Sequence, residues 1–293
     1  MSKIKILIPV YNDWQSVFKL LENINSEVSA LDDEFSVIII NDTSSESRPE
    51  FSLNLDHLRS VQIINMKENR GHARCNAAGL KYINEKEGFD YIIPMDGDGE
   101  DRPEELNLLV EKIKNYPDTV ITADRVKRSE GFIFKFCYIV HKYLTLVFTG
   151  QKIKYGNYTC LPKSIVNKMV SEPATWSSFS GSLAKTVKDR KSIPSKRGKR
   201  YFGPSKMSFI NLLKHSLSII AVFKSRLLIR STLFLIAYLF LVTGKISVIT
   251  LIPVLGVIVM MISVIILSKR ENMPEFNSSL ENIESIESID KIK

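Results

Sequence analysis

Cysteine is scarce in this 293-residue chain: Cys75, Cys137 and Cys160 are scattered and form no C-x-x-C pair. They read as reduced, packing thiols of a cytosolic compartment. Two phosphate-binding signatures are also missing. No G-x-G-x-x-G follows the first strand-like run, which disfavours a dinucleotide-binding Rossmann domain. No G-x-x-x-x-G-K-[ST] occurs, which argues against a P-loop NTPase. There is no internal repeat. Residues 4–10 are apolar but few, and Pro9-Val10-Tyr11-Asn12 interrupts them, so no signal peptide is expected. Acids are outnumbered, with 32 Asp and Glu against 40 Lys and Arg, for a formal charge of +8. A basic balance of this kind favours phosphate-bearing partners: nucleotides, nucleic acid or anionic lipid.

What is present alternates in period. Ile4 to Ile8 reads as a buried strand stopping at Pro9, and Ser16 to Ile24 as a helix with Val17, Leu20, Leu21 and Ile24 on one face. Strands are expected at Phe35 to Ile40, Val61 to Ile64, from Tyr91, and at Val120 to Thr122. Helices are expected at Ala73 to Tyr82 and Glu104 to Lys114. Strands alternating with helices predict an α/β fold with a mostly parallel sheet. Polar residues gather after three strands, at Asp13, Asp42 and Asp96, the rim where such a sheet binds ligands.

The densest chemistry lies at Asp96-Gly97-Asp98-Gly99-Glu100-Asp101. Asp96 and Asp98 share one side of an extended segment, and Glu100 continues the alternation. Hard divalent cations favour such oxygens, often one or two carboxylates plus substrate phosphates. Asp and Gly are equally ordinary turn formers, so the motif alone does not decide. Further on, residues 185–206 hold nine Lys or Arg and one acid, Asp189. Gly198, Gly203 and Pro204 punctuate the run, as in a loop shaped to hold anions, with Arg200, Ser205 and Lys206 placed to grip phosphate oxygens. Nucleic acid is the competing use, but no recognition fold accompanies the patch. Phe132 to Phe148 has helical, aromatic-rich spacing, and His141 within it carries no assigned chemistry.

Met207 to Phe223 is an amphipathic pattern, with Phe209, Ile210, Leu213, Leu217, Ile220 and Ala221 set against Asn211, Lys214, His215 and Ser218. It is expected in the plane of a membrane surface. Leu227 to Val242 and Ile246 to Leu267 are two apolar runs joined by Thr243-Gly244-Lys245, expected to form a transmembrane helical hairpin; the second is long enough to span a bilayer and the first is shorter. Arg230 sits inside the first, where it can snorkel. Lys224, Arg226 and Arg230 flank one end and Lys269 and Arg270 the other, so the positive-inside rule puts both ends in the cytoplasm, Lys245 being a small counter-signal. From Glu271 the chain is acidic and Ser-rich, and is expected to be disordered. The resulting division is 1–206 catalytic domain, 207–225 interfacial helix, 226–269 transmembrane hairpin and 270–293 disordered cytosolic tail.

Four motifs together resemble family 2 glycosyltransferases with the GT-A fold. They are Ile8-Pro9-Val10-Tyr11-Asn12-Asp13, Ile40-Asn41-Asp42-Thr43-Ser44, Asn69-Arg70-Gly71, and Asp96 through Asp101 with Arg102-Pro103-Glu104. Arg200-Tyr201-Phe202-Gly203-Pro204-Ser205-Lys206 is similar to the R-x-x-G-x-S-K signature of the polyprenyl-phosphate, dolichyl-phosphate mannose synthase-like branch. The resemblance implies inverting, metal-dependent transfer of a sugar from a nucleoside diphosphate sugar to a polyprenyl phosphate in a membrane. It implies that Pro9, Tyr11, Asp13 and Asp42 line the nucleoside pocket, with Arg70 also at the substrate. Asp96 faces the ribose and metal region, and Asp98 binds Mg²⁺ or Mn²⁺ with the diphosphate. Glu100 stands where the branch has Gln, as a further metal ligand. Arg125 matches a basic position near the diphosphate, and Lys135 stands in for another. Arg200, Ser205 and Lys206 hold phosphate; Asp96, Asp98 and Arg200 are thus the catalytic set. The usual Asp-Asp-Gly-Ser reads Asn41-Asp42-Thr43-Ser44 here, and the missing glycine is expected to reshape that turn.

In-line displacement needs charge stabilisation on the leaving diphosphate, and a hydroxyl acceptor also needs a general base. Between Gln151 and Lys188 the only carboxylate is Glu172. A phosphate acceptor needs no base, which agrees with that scarcity. The alternatives are transfer to a hydroxyl of a lipid-linked or surface glycan with Glu172 as base, or a non-enzymatic membrane scaffold. Trp176-Ser177-Ser178-Phe179 is not the Q-x-x-R-W of processive polysaccharide synthases. No nucleic-acid partner is expected; a homo-oligomer is possible.

Overall fold

The structure is a computed structural model and describes residues 1–50, 53–127, 142–204 and 209–289. Its described strands form one sheet of order β7-β5-β6-β4-β1-β2-β3-β8. These are β1 (Lys3–Val10), β2 (Glu34–Asn41), β3 (Ser60–Met66), β4 (Tyr91–Pro94), β5 (Val120–Lys127), β6 (Thr159–Pro162), β7 (Arg190–Lys196) and β8 (Ile283–Ile289). Strands β1, β2, β3 and β4 run parallel, β5 and β7 share their direction, and only β6 and β8 oppose it. The expected α/β fold with a mostly parallel sheet is therefore what the chain adopts.

The sheet is covered on both faces because both faces of its strands are apolar. Ile4, Ile6 and Ile8 of β1 pack with Val17, Leu20, Leu21 and Ile24 of α1 (Trp14–Val28) and with Leu106, Leu109, Val110 and Ile113 of α3 (Leu106–Asn115). Leu7, pointing the other way, packs with Ala78 and Leu80 of α2 (His72–Lys86), together with apolar residues of α5 (Lys163–Val170) and α7 (Phe179–Thr186). Strand β1 does not stop at Pro9. Beyond Leu7 it has lost β4 as a neighbour and keeps only β2, so the missing proline N–H is tolerated. The basic run is likewise not one loop, since its middle is β7, paired in parallel with β5.

Helix α4 (142–149) precedes β6, and the short α6 (Ala174–Ser177) lies between α5 and α7. The C-terminal region begins with α8 (Phe209–Ala221), α9 (Lys224–Val242) and α10 (Val248–Ser268). In helix α8, Ile210 and Leu213 of the apolar face are exposed, and Ser218 of the polar face is buried, its hydroxyl donating to the Lys214 carbonyl at 2.8 Å. Helices α9 and α10 have 19 and 21 residues, mean hydropathies of 1.7 and 2.9, and surfaces turned almost wholly outward, so both are candidate membrane spans. At about 1.5 Å per residue each matches a hydrocarbon core of about 30 Å. Arg230 does not simply snorkel: its guanidinium donates to the Val147 carbonyl at 2.9 Å, capping the last turn of α4.

The segment after the hairpin is not disordered. It forms α11 (Met273–Asn277), a 3₁₀ turn and β8, which pairs antiparallel with β3. The run Ile283-Glu-Ser-Ile286-Glu-Ser-Ile289 matches neither strand nor helix period. An edge strand, however, takes its hydrogen bonds from a neighbour and can leave most side chains in water. Phe276 fixes the segment: it is fully buried and stacks on Trp176, with centroids 5.4 Å apart.

Candidate active site

The sheet order reverses between β1 and β4, because the chain runs β1-β2-β3 outward on one side and then returns to place β4 on the other. At such a switch point the loops diverge and leave a crevice beyond the strand ends. Residues 11–13 leave β1 on one side of it and residues 95–101 leave β4 on the other.

On the β4 side, carboxylates crowd. Asp96 Oδ1 meets His72 Nε2 at 2.9 Å and the Asn157 amide at 3.2 Å. Desolvation alone would raise the Asp96 pKa, but the His72 charge and hydrogen bond, with Arg125, hold it well below the usual range. Desolvation would lower that of His72, yet the neighbouring Asp96 charge and hydrogen bond raise it. Asp101 is buried and accepts the Asp96 N–H at 2.9 Å. Desolvation and the Asp96 charge push it up to about 7. The same two causes push Asp98 up to about 6. Asp98 Oδ1 accepts the Glu100 N–H at 3.0 Å, and Oδ2 accepts from Arg200 at 2.9 Å.

The stretch 197–201 lies across this loop. The Gly198 N–H donates to the Glu100 carbonyl at 2.8 Å and the Tyr201 N–H to the Asp98 carbonyl at 3.0 Å. Gly99, at φ +87°, has the Tyr201 ring where a Cβ would stand, so only glycine fits. Tyr201 is held in turn by the Asn23 amide, which donates to its hydroxyl at 2.7 Å. Arg200 bridges Asp98 and Asp13, and Arg197 pairs with Glu100.

On the β2 side one carboxylate is saturated by backbone. Asp42 is 4% exposed; Oδ1 accepts the Arg70 N–H at 2.9 Å and Oδ2 the Gly71 N–H at 2.8 Å. Its carbonyl accepts from the Asn69 amide at 2.9 Å. Asp42 thus buckles the 69–71 loop to the end of β2. At the position of the absent glycine, Thr43 takes φ +59°, and its hydroxyl donates to the Met66 carbonyl at 2.8 Å.

Residues 5–169, more than half of the chain, match the family model for glycosyl transferase family 2. The chain belongs to that family. It is a glycosyltransferase with the GT-A fold and its nucleotide-sugar architecture. Among solved structures it is similar to glucosyl-3-phosphoglycerate synthase from Mycobacterium tuberculosis. The form with phosphoglyceric acid matches at 12% identity over 77% of this chain and 80% of that one, TM-score 0.52. The form with Mn²⁺, UDP and glucosyl-3-phosphoglycerate matches at 13% identity with the same coverage, TM-score 0.50. A match to S. aureus TarS 1–349 covers 95% of this chain and 91% of that one at 12% identity, TM-score 0.48.

The family fold brings Pro9, Asp13, Asp96, Asp98, Glu100 and Arg200 to one crevice, with Tyr11 exposed at its rim. Arg125 lies behind it, its charge acting on Asp96 and Asp101. Arg70 is turned elsewhere, onto Glu275 and Glu68. Lys135, Ser205 and Lys206 lie outside the described residues. Glu172 Oε1 accepts from Lys185 Nζ at 2.7 Å and from the Ala174 N–H at 3.2 Å. The sequence does not single out His72, which stands directly beside the Asn69-Arg70-Gly71 motif, or Asn157, which carries no local signal. Asp101 lies within the acidic motif and Arg197 within the basic run, neither with a role of its own there.

Among the described residues no three acidic, His or Cys side chains converge on a common metal position. Asp96, Asp98 and Glu100 therefore do not form a complete cage, because Glu100 is turned to Arg197. The residues fit a divalent cation of another kind, one held by one or two carboxylates and completed by a donor diphosphate. Two neighbouring carboxylates pushed up to about 6 and 7 by desolvation and like charge are what such a cation relieves.

Proposed function

We propose that this glycosyltransferase moves a sugar from a nucleoside diphosphate sugar to a polyprenyl phosphate at a membrane surface. The observation that carries the reading is the return of the chain from the apolar hairpin into its own sheet. Helix α10 ends at Ser268 and α11 begins at Met273, and the four residues between them let the two ends lie at most about 17 Å apart. Helix α11 touches the first turn of α2, whose His72 reaches Asp96. The donor rim is therefore tied by a short tether to the end of a bilayer-length helix, where the headgroup of a lipid phosphate resides. Both ends of the hairpin join one domain, which agrees with two crossings and with a shared side for Lys224, Arg226, Arg230, Lys269 and Arg270, Lys245 at the turn lying on the other. The positive-inside rule makes that side the cytoplasm.

The acceptor assignment draws on Glu172. Its carboxylate accepts the Ala174 N–H and pairs with Lys185, a poor disposition for a general base. A phosphate acceptor is already anionic. It needs cations to receive it, and Arg197 and Arg200 lie across the rim.

In this reading Asp98, backed by Asp96, would hold Mg²⁺ or Mn²⁺ together with the donor diphosphate. The ion supplies Lewis-acid stabilisation of charge on the departing nucleoside diphosphate. His72 and Asn157 fix Asp96, and Tyr201 against Gly99 fixes the loop that presents Asp98. Arg200, now shared by Asp13 and Asp98, is placed to exchange those carboxylates for phosphate oxygens by charge-assisted hydrogen bonds.

The test uses the full chain in liposomes with a polyprenyl phosphate, Mg²⁺ or Mn²⁺, and labelled UDP-, GDP- and dTDP-sugars. Label is expected in solvent-extractable lipid. Label confined to soluble glycan would overturn the acceptor, and no transfer from any donor would overturn the reading as a whole.

A further inference from the structure

The C-terminal segment closes the sheet edge, but α11 reaches further than an edge strand requires. Glu275 Oε1 accepts from Arg70 at 2.8 Å and Oε2 from Arg74 at 3.2 Å. The same carboxylate therefore spans two arginines on either side of the α2 N-terminus. Asn272 caps α11 by accepting the Glu275 N–H at 3.1 Å, which fixes the backbone that presents Glu275. Next to it, Phe276 stacks on Trp176 while the Arg74 guanidinium lies 5.3 Å from the centroid of that indole. Arg74 is thus held by a charge and by a ring, both brought from outside α2.

Between those two arginines, α2 makes its contacts with the donor rim. The backbone N–H groups of Arg70 and Gly71 are the ones that saturate Asp42, and His72 is the residue that meets Asp96. Arg70 therefore faces two ways, its backbone inward to the nucleoside-side carboxylate and its side chain outward to the tail. The sequence motif Asn69-Arg70-Gly71 points to Arg70 as a donor ligand, but its guanidinium is divided between Glu275 and Glu68.

We propose that residues 273–276 are a clamp on the donor site, with Glu275 a positioning residue that acts through Arg70 and Arg74 on the 69–72 loop. The clamp rests on the reading of the crevice as a nucleoside diphosphate site. It also joins that site to the hairpin: the element that sets the loop is the first one formed after α10 leaves the apolar region.

The experiment compares full-length wild type with Glu275→Gln, Glu275→Asp, Arg70→Gln and the Glu275→Gln/Arg70→Gln double variant. Three quantities are read: the affinity for UDP, GDP and dTDP with Mn²⁺, the maximal transfer rate at saturating donor, and amide hydrogen exchange at Arg70 and Gly71. Glu275→Gln is expected to weaken the best nucleotide roughly tenfold, the scale of one lost charge-assisted contact. Exchange at Arg70 and Gly71 should quicken, and the maximal rate should hold. Glu275→Asp keeps the charge and should recover most of the affinity. Arg70→Gln removes one of the two arms and should cost no more than Glu275→Gln, and the double variant should add little to Glu275→Gln, in which the Arg70 contact is already broken. Unchanged exchange and affinity in Glu275→Gln would overturn the clamp. A further loss in the double variant would also overturn it, since Arg70 would then touch the nucleotide directly. If the wild type binds none of the three nucleotides, the donor reading fails, and the exchange at Arg70 and Gly71 still judges the clamp separately.

Discussion

The two sides of the crevice satisfy their carboxylates differently. On the β2 side, Asp42 is buried and both of its oxygens are taken by backbone N–H groups of the 69–71 loop. On the β4 side, Asp98 and Asp101 are crowded by Asp96 and each accepts one backbone N–H, while the second oxygen of Asp98 is answered by the side chain of an arginine from across the loop. Backbone donors cannot leave without unfolding the loop, whereas an arginine on a flexible stem can be exchanged for another cation. The first arrangement is architecture, and the second is a place kept ready for a ligand.

The largest test of that contrast is Asp98→Asn. Transfer should fall by roughly 10²–10³, the scale of losing one preorganised group at the developing charge. Thermal unfolding of the ligand-free chain should not move down, because one of several crowded like charges has been removed. A lowered melting temperature would show that Asp98 is architecture too. Chelation by EDTA should abolish transfer while leaving amide protection at Arg70 and Gly71 intact; loss of that protection would mean that the two sides are not separable. Asp42→Asn should do the reverse. The carboxamide presents an N–H₂ to one of two backbone donors, so stability should drop by about 1–3 kcal/mol in a denaturant titration. An unchanged midpoint would show that the loop is held by other contacts. The smallest effect is expected from Thr43→Gly. A threonine at φ +59° carries strain of order 1–2 kcal/mol, which glycine relieves, less its own chain entropy and the lost hydrogen bond to Met66. A net gain of at most about 1 kcal/mol should appear in the same titration, and a clear loss would show that the Thr43 hydroxyl outweighs the strain.

The first five strands were legible because each contains a short apolar run rich in Val and Ile, and because the ligand rim follows from their order. The acidic loop after β4 was legible by type, and its family by the company of Asp13, Asp42 and Asn69-Arg70-Gly71. Partners distant in sequence were not. Nothing local in Asp42 announces that Arg70 and Gly71 will saturate it, and nothing in Glu100 announces Arg197. The return segment was misread because its Ile-Glu-Ser triplets offer no buried face of their own. Its order comes from β3, which supplies the hydrogen bonds, and from Trp176, which covers Phe276.

The pairing of β3 with β8 also has a consequence for biosynthesis. More than 200 residues separate the two strands, and the apolar hairpin lies between them. During synthesis the N-terminal strands emerge and collapse first. The sheet keeps an open edge along β3 until the hairpin has been made and, in the membrane reading, inserted. Only then can β8 fold back and Glu275 reach α2. A chain that fails to insert would carry an exposed strand edge and an unclamped loop, marking it for quality control before it can act on a nucleotide sugar away from the membrane.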